Sequence, residues 1–228
     1  MPSSPAPTRF CVLLYPGFEP LDVFGPVEVF QTLSRTHPIH LSFLSASSDP
    51  ALDPVSTAPP PGAPTSNPRG SIAWTSVAPT HTLASPPSDT EVLLVPGGVG
   101  SRSPGSAPGA CIDYITATYP RLRSLLSVCT GAELLARSGV LAGRRATGNK
   151  KHWGRITAAD PAAKWEKKAR WVRDGNIWTS GGVSAGTDMA LGWVAAHFGE
   201  EVARAVANDI EYEWRNDPEW DVFAYVWS

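Results

Sequence analysis

Three short apolar runs constrain this chain more than anything else in it: residues 9–15 (RFCVLLY), 91–95 (EVLLV) and 122–128 (LRSLLSV). A strand covered by helices on both faces has no polar side, so it reads as a continuous hydrophobic run rather than an alternation. Each run ends at a turn signal: Pro16-Gly17, Pro96-Gly97-Gly98 and Thr130-Gly131. Helical patterns lie between the runs. Residues 22–33 place Val23, Val27, Phe30 and Leu33 at near-helical spacing. Further helices are expected at 110–118, after Cys129, at 151–158, at 184–198 and at 200–207, with strands at 39–44, 72–75 and 143–147. Residues 171–178 read as a hairpin around Asp174-Gly175, since Asp-Gly suits the positive φ angles of a tight turn. Strands alternating with helices imply an α/β fold, a three-layer sandwich with a mostly parallel central sheet flanked by helices.

The remaining composition sets outer limits. A length of 228 residues and a hydrophobic content of 42% suit one sizeable core, and the expected organisation is a single domain over 9–228. A disordered tail at 1–8 precedes it, and a proline-rich insertion at about 46–70 interrupts it. A net charge of −2 argues against nucleic acid, which calls for a basic face. The pairs Arg144-Arg145, Lys150-Lys151 and Lys167-Lys168 read as short solvated faces. Cys11, Cys111 and Cys129 form no CxxC pair and no metal spacing with histidine, so no metal is expected. That usage suits a reducing, cytoplasmic setting. Cys11 is expected to be buried and inert, and Cys111 partly exposed. No apolar run is long enough for a membrane span or a signal core.

In a parallel α/β sheet, ligands bind at the carboxyl ends of the strands. Three short connections leave such ends, at 16–22, 96–100 and 129–131. The last carries Cys129 between a buried strand and a helix start. There the sulfur stands beside free helix N–H groups, which favour thiolate. The same residue also reads as a plain core cysteine, packing as a small hydrophobe. Asp22 is either a proton shuttle beside Cys129 or a helix N-cap. Glu19 is the rival carboxylate and reads as solvated. Gly97 and Gly98 offer backbone N–H groups to developing charge, or form an ordinary turn. Thr130 offers a hydroxyl to the same place. None of the five histidines follows a site motif, although His152 beside Trp153 can approach from the neighbouring strand end. A cysteine–carboxylate pair without histidine is the expected arrangement.

At these residues the chain resembles the ThiJ/PfpI family of the class I glutamine amidotransferase-like superfamily. The likeness is carried by YPGFEPLDVFGPVEVF (15–30), LLVPGGVG (93–100), SVCTGAELLARSGVLAGRRAT (127–147) and VRDGNIWTSGGVSAGTDMAL (172–191). It is most similar to the isocyanide hydratases, sharing Leu21-Asp22, Gly25-Pro26, Ser127-Val128-Cys129-Thr130-Gly131 and Ala185-Gly186-Thr187-Asp188. The resemblance implies Cys129 as nucleophile on a strand-to-helix elbow and Asp22 as acid/base. It also implies water addition to a small-molecule R–N≡C, no cofactor and a homodimer. Three other activities stay open: a glyoxalase or deglycase acting on 2-oxoaldehydes, a cysteine redox sensor without turnover, and an amidase or peptidase. Relatives of the glyoxalase type often carry histidine after the cysteine, where Thr130 stands here. The hydratases commonly read Ala-Thr-Thr-His-Trp where this chain has Ala146-Thr147-Gly148-Asn149-Lys150-Lys151-His152-Trp153. No helix-turn-helix module is expected in the chain.

Overall fold

The computed structural model describes residues 5–63 and 70–227. In chain order its elements begin with β1 (Arg9–Leu14), α1 (Pro20–Leu33), β2 (His40–Ser45), β3 (Val55–Ser56), β4 (Ser76–Val77) and β5 (His81–Thr82). Then come β6 (Val92–Val95), α2 (Ser106–Thr118), β7 (Ser124–Val128), α3 (Gly131–Arg137), β8 (Arg145–Ala146) and α4 (Trp153–Ala159). The chain closes with β9 (Lys164–Trp165), β10 (Trp171–Asp174), β11 (Ile177–Ser180), α5 (Ala185–Phe198), α6 (Glu200–Asp209) and α7 (Phe223–Val226).

Among the described residues, seven strands form one sheet in the order β10-β11-β7-β6-β1-β2-β5, and every pairing but β10–β11 is parallel. The expected α/β sandwich is what the chain forms. The three apolar runs are its central strands, and β6 and β7 are buried at every position. Helices α1, α5 and α6 pack together, as do α2, α3 and α4, which gives a helical layer on each side. Trp193 of α5 is fully buried against Phe10 and Phe30, with ring centroids 5.3 and 5.8 Å away. Its indole N–H donates to Ser124 Oγ at 3.0 Å, so the largest core side chain leaves no buried donor unpaired.

The order reverses about β1, whose parallel neighbours are β2 on one side and β6 on the other. Loops leaving β1 and β6 therefore diverge to opposite faces and open a crevice between them. The carboxyl ends of β7 and β11 lie beside it, because both strands run parallel to β6. The hairpin at Asp174-Gly175 forms as expected, with Gly175 at φ 62°.

Several local expectations are displaced. Helix α2 starts at Ser106 rather than 110. Pro108 falls in its first turn, where the missing N–H costs no helical bond. The strand expected at 72–75 lies at Ser76–Val77, and Ile72 is 89% exposed. Its partner is Val55–Ser56 within the insertion, so pairing and not apolarity sets its place. The tail at 1–8 and the insertion at 46–70 fall partly outside the described residues. Within them, Thr8 N–H donates to Glu91 Oε2 at 2.7 Å, and Gly17 N–H donates to Ser56 O at 2.8 Å. Cys111 is fully buried, not partly exposed, because it lies on the face of α2 that meets the core. Lys150 is buried rather than solvated, for reasons that belong to the site below. No helix among the described residues is long and apolar enough to cross a membrane.

Replacing Ser124 by Ala strands the Trp193 indole N–H in the core. An unsatisfied buried donor costs about 1–3 kcal/mol. The thermal midpoint should fall by several degrees with the fold otherwise unchanged, read by circular dichroism. An unchanged midpoint would show that this bond contributes nothing.

Candidate active site

Cys129 follows the last residue of β7 and precedes α3, in the crevice at the sheet's carboxyl edge. Its φ is +61°, a left-handed conformation that a side-chain-bearing residue adopts at a cost of order 1–3 kcal/mol. The turn is locked by Cys129 N–H donating to Gly181 O (3.0 Å) and by Asn149 N–H donating to Cys129 O (3.2 Å).

Asp22 meets this cysteine from α1. It is not the helix N-cap: Glu19 holds that position, and Asp22 sits within the first turn. From there its carboxyl is completely buried and crosses to the β6 loop, where Gly97 N–H donates to Oδ2 at 2.8 Å. A Cβ on Gly97 would lie 2.8 Å from that oxygen and 2.6 Å from the Thr130 backbone nitrogen. Only a glycine permits this approach. The Cys129 thiol and the Val183 N–H also lie close to the Asp22 carboxyl.

Burial pushes Asp22 up to about 8, with Glu19 adding to the rise and Gly97 and Cys129 opposing it. Burial, then the charge of Asp22, pushes the Cys129 thiol up, while Asn149, Thr130 N–H and Val183 N–H resist. Desolvation and the carboxyl thus oppose the thiolate that the end of this seven-residue helix was expected to favour. Thiol and carboxyl form a coupled pair in which the carboxylate is the local proton acceptor.

The glycines and Thr130 do come to this place, but their donors are engaged. Gly97 N–H serves Asp22, and Gly98 N–H donates to Thr130 Oγ1 at 2.9 Å. The groups facing the sulfur are others. Asn149 donates its side-chain amide to Cys129 Sγ at 3.0 Å, and Val183 contributes its N–H. Sequence reading missed both. Asn149 lies in the stretch that departs from the hydratase pattern. Val183 is β-branched at φ +46°, a strained conformation that no local propensity announces. Glu19 is half-buried rather than solvated, and burial raises its carboxyl. His152 starts α4 and donates its backbone N–H to Asn149 Oδ1. Burial and Arg155 pull its ring down to about 4, so it is neutral.

Behind Asn149 lies a buried ionic cluster. Lys150 Nζ donates to Thr147 Oγ1 and Ala169 O, both at 2.7 Å, and stands 3.5 Å from Asp221 Oδ2. Arg170 bridges Asp221 (3.5 Å) and Asp188, donating from Nε to the latter at 2.7 Å. No group of histidine, cysteine and acidic residues among the described residues has the geometry to hold a metal ion.

A doubly flanked parallel sheet with a cysteine and a carboxyl at its carboxyl edge is the architecture of a large family. The DJ-1/PfpI family model matches residues 8–196, and the chain belongs to that family. It is 32% identical over 200 residues to an isonitrile hydratase of Pseudomonas putida, covering 88% of this chain and 76% of that one. It is 31% identical over 127 residues to the transcriptional regulator GbdR of Pseudomonas aeruginosa, covering 54% of this chain and 33% of the regulator. The crystal structure of a ThiJ/PfpI family protein from Pseudomonas syringae superposes with a TM-score of 0.70 at 26% identity. That match covers 95% of this chain and 79% of the other.

Because Asp22 binds its proton more tightly when folded, the native state holds a proton that the unfolded chain releases between the ordinary carboxylate range and about pH 8. Stability is lost to this group as pH rises through that window. Asp22→Asn, which keeps an acceptor for Gly97, should melt higher than the parent. The gain should widen from pH 5 to pH 9, by roughly 2–4 °C for each kcal/mol recovered. Parallel melting curves with no widening would refute the buried, protonated carboxyl.

Proposed function

We propose that this protein adds water to isocyanides, R–N≡C, giving N-substituted formamides through covalent attachment to Cys129. The observation that carries this reading is the closeness of the Cys129 thiol to the buried Asp22 carboxyl, with no imidazole among the groups beside either. The terminal carbon of an isocyanide accepts a nucleophile and a proton together. A thiol beside one proton-accepting carboxyl supplies both. The similarity to isonitrile hydratase points to the same chemistry.

In the first half-reaction Asp22 takes the thiol proton as sulfur bonds to the terminal carbon. It returns that proton to the same carbon, leaving the thioimidate R–N=CH–S–Cys129. In the second, water adds to this carbon as Asp22 accepts one of its protons and passes it to the imine nitrogen, which becomes N–H. As the tetrahedral adduct R–NH–CH(OH)–S–Cys129 collapses, Asp22 takes the hydroxyl proton and hands it to the departing sulfur. The product is R–NH–CHO, and atoms balance as R–N≡C plus H₂O. Asn149 supports sulfur as negative charge develops, and the N–H groups of Thr130 and Val183 act at the same point. Gly97 holds Asp22 in register. The cycle needs no metal or organic cofactor.

Further elements of the reading are a homodimer and a cytoplasmic setting. Leu21 and Phe24, at 45% and 40% exposure on α1, suit a subunit contact.

Turnover of an aryl isocyanide, followed as formamide absorbance, should fall to background in Cys129→Ala. It should fall about 10²–10⁴-fold in Asp22→Asn, the usual worth of a positioned acid/base. The parent's kcat/KM should rise with pH through about 8, as Asp22 becomes the free acceptor. Full activity in either variant would overturn these roles. Methylglyoxal turnover without isocyanide turnover would replace the reading with a glyoxalase.

A further inference from the structure

The loop at 148–151 does more than supply Asn149. With the C-terminal helix it walls a cavity of about 210 Å³, whose lining includes Asn149, Lys150, Lys151, Val183, Phe223 and Trp227. Two lining residues also touch the reacting pair, Asn149 through its amide on Cys129 Sγ and Val183 through its N–H near the thiol and carboxyl. The cavity therefore shares two of its walls with the cysteine–aspartate pair. Its far wall is aromatic: Phe223 and Trp227 remain 44% and 46% exposed.

This wall is held in place from below. Asp221, itself buried, accepts from Phe223 N–H through Oδ1 at 3.2 Å and thereby fixes the first turn of α7. Its carboxyl faces Lys150 and Arg170, each at 3.5 Å. Lys150 is in turn tied to Thr147 Oγ1, Gly148 O and Ala169 O. Above, the Lys151 ammonium lies 5.3 Å over the Trp227 ring, and Lys167 Nζ donates to Trp227 O at 3.1 Å. A buried ion cluster is a poor source of net stability. What this one secures is the segment that carries the two aromatic rings of the cavity wall.

We infer that this cavity is the subsite for the R group and that it selects isocyanides carrying an aromatic ring. The inference rests on the hydratase reading for the reacting group, and on the cavity alone for the ring. The volume suits it, since an apolar cavity of about 150 Å³ takes up benzene. The lining suits it too. Edge-to-face and offset contacts with Phe223 and Trp227 reward a ring over an alkyl chain. Lys150 spends its charge on Asp221 and the backbone, and Lys151 rests on Trp227. Neither presents an anion hole to the R group.

The test compares phenyl isocyanide with methyl isocyanide in the parent, Phe223→Ala and Trp227→Ala. Both side chains are substantially exposed, so the variants should fold, which circular dichroism checks. KM for phenyl isocyanide should rise about 10-fold or more, the usual worth of a lost pocket contact. Its kcat and the methyl isocyanide KM should stay unchanged. Equal effects on both substrates, or none, would overturn the subsite. So would a change of oligomeric state with both KM values intact, since the rings would then face a second copy of the chain. A second readout needs no turnover: the rate of Cys129 alkylation by benzyl bromide relative to iodomethane, followed by intact mass. A benzyl preference that falls in Phe223→Ala supports the subsite even if no isocyanide is hydrated, which would refute only the hydratase reading. No benzyl preference in the parent would refute the subsite itself.

Discussion

One hydrogen bond organises the functional edge of this molecule: Gly97 N–H to Asp22 Oδ2, at 2.8 Å and fully buried. It joins the first helix to the loop after β6 across the crevice where the strand order reverses. Without it, a carboxyl buried beside a cysteine would have every reason to turn toward water. With it, the carboxyl stays in a dry site as a proton holder whose affinity is set by burial. The absent side chain at Gly97 is part of the same device, because any Cβ there would occupy the space of the carboxyl and of the Thr130 nitrogen.

The site works by desolvation more than by positive charge. The helix after Cys129 is short, and the hydrogen-bond donors set against the sulfur are neutral ones, the Asn149 amide and the N–H groups of Thr130 and Val183. Desolvation opposes the thiolate, so the thiol loses its proton when a reaction gives that proton a destination. Asp22 is near enough to receive it and buried enough to return it. In the proposed reaction one carboxyl carries a proton through both half-reactions. The neutral His152 has no part to play in such a relay.

The C-terminal segment belongs to the site as much as the family core does. Asp221 is far from Asp22 in sequence, yet Lys150 and Arg170 draw it under the loop that carries Asn149. The residues that place a donor on Cys129 thus share a foundation with the aromatic wall beside it. In the loop at 148–151 three consecutive side chains, Asn149, Lys150 and Lys151, serve sulfur, foundation and wall in turn.

The sequence by itself determined the layers of the fold and the address of the site. Continuous apolar runs at β1, β6 and β7 admit little but buried parallel strands, and the turn after β7 carries its cysteine in plain view. These signals are local: periodicity, composition and turn chemistry are properties of neighbouring residues. Only the tertiary structure decided that Asp22 crosses to Gly97 instead of capping its helix, and that the glycine N–H groups are spent within the protein. It alone decided that Asn149 and Val183 face the sulfur and that Lys150 is buried. Each depends on which loops the strand order brings together, over separations of 20 to 75 residues. The protonation state of the pair was least legible of all. Burial is a sum over every neighbouring atom, and no single residue in the sequence announces it.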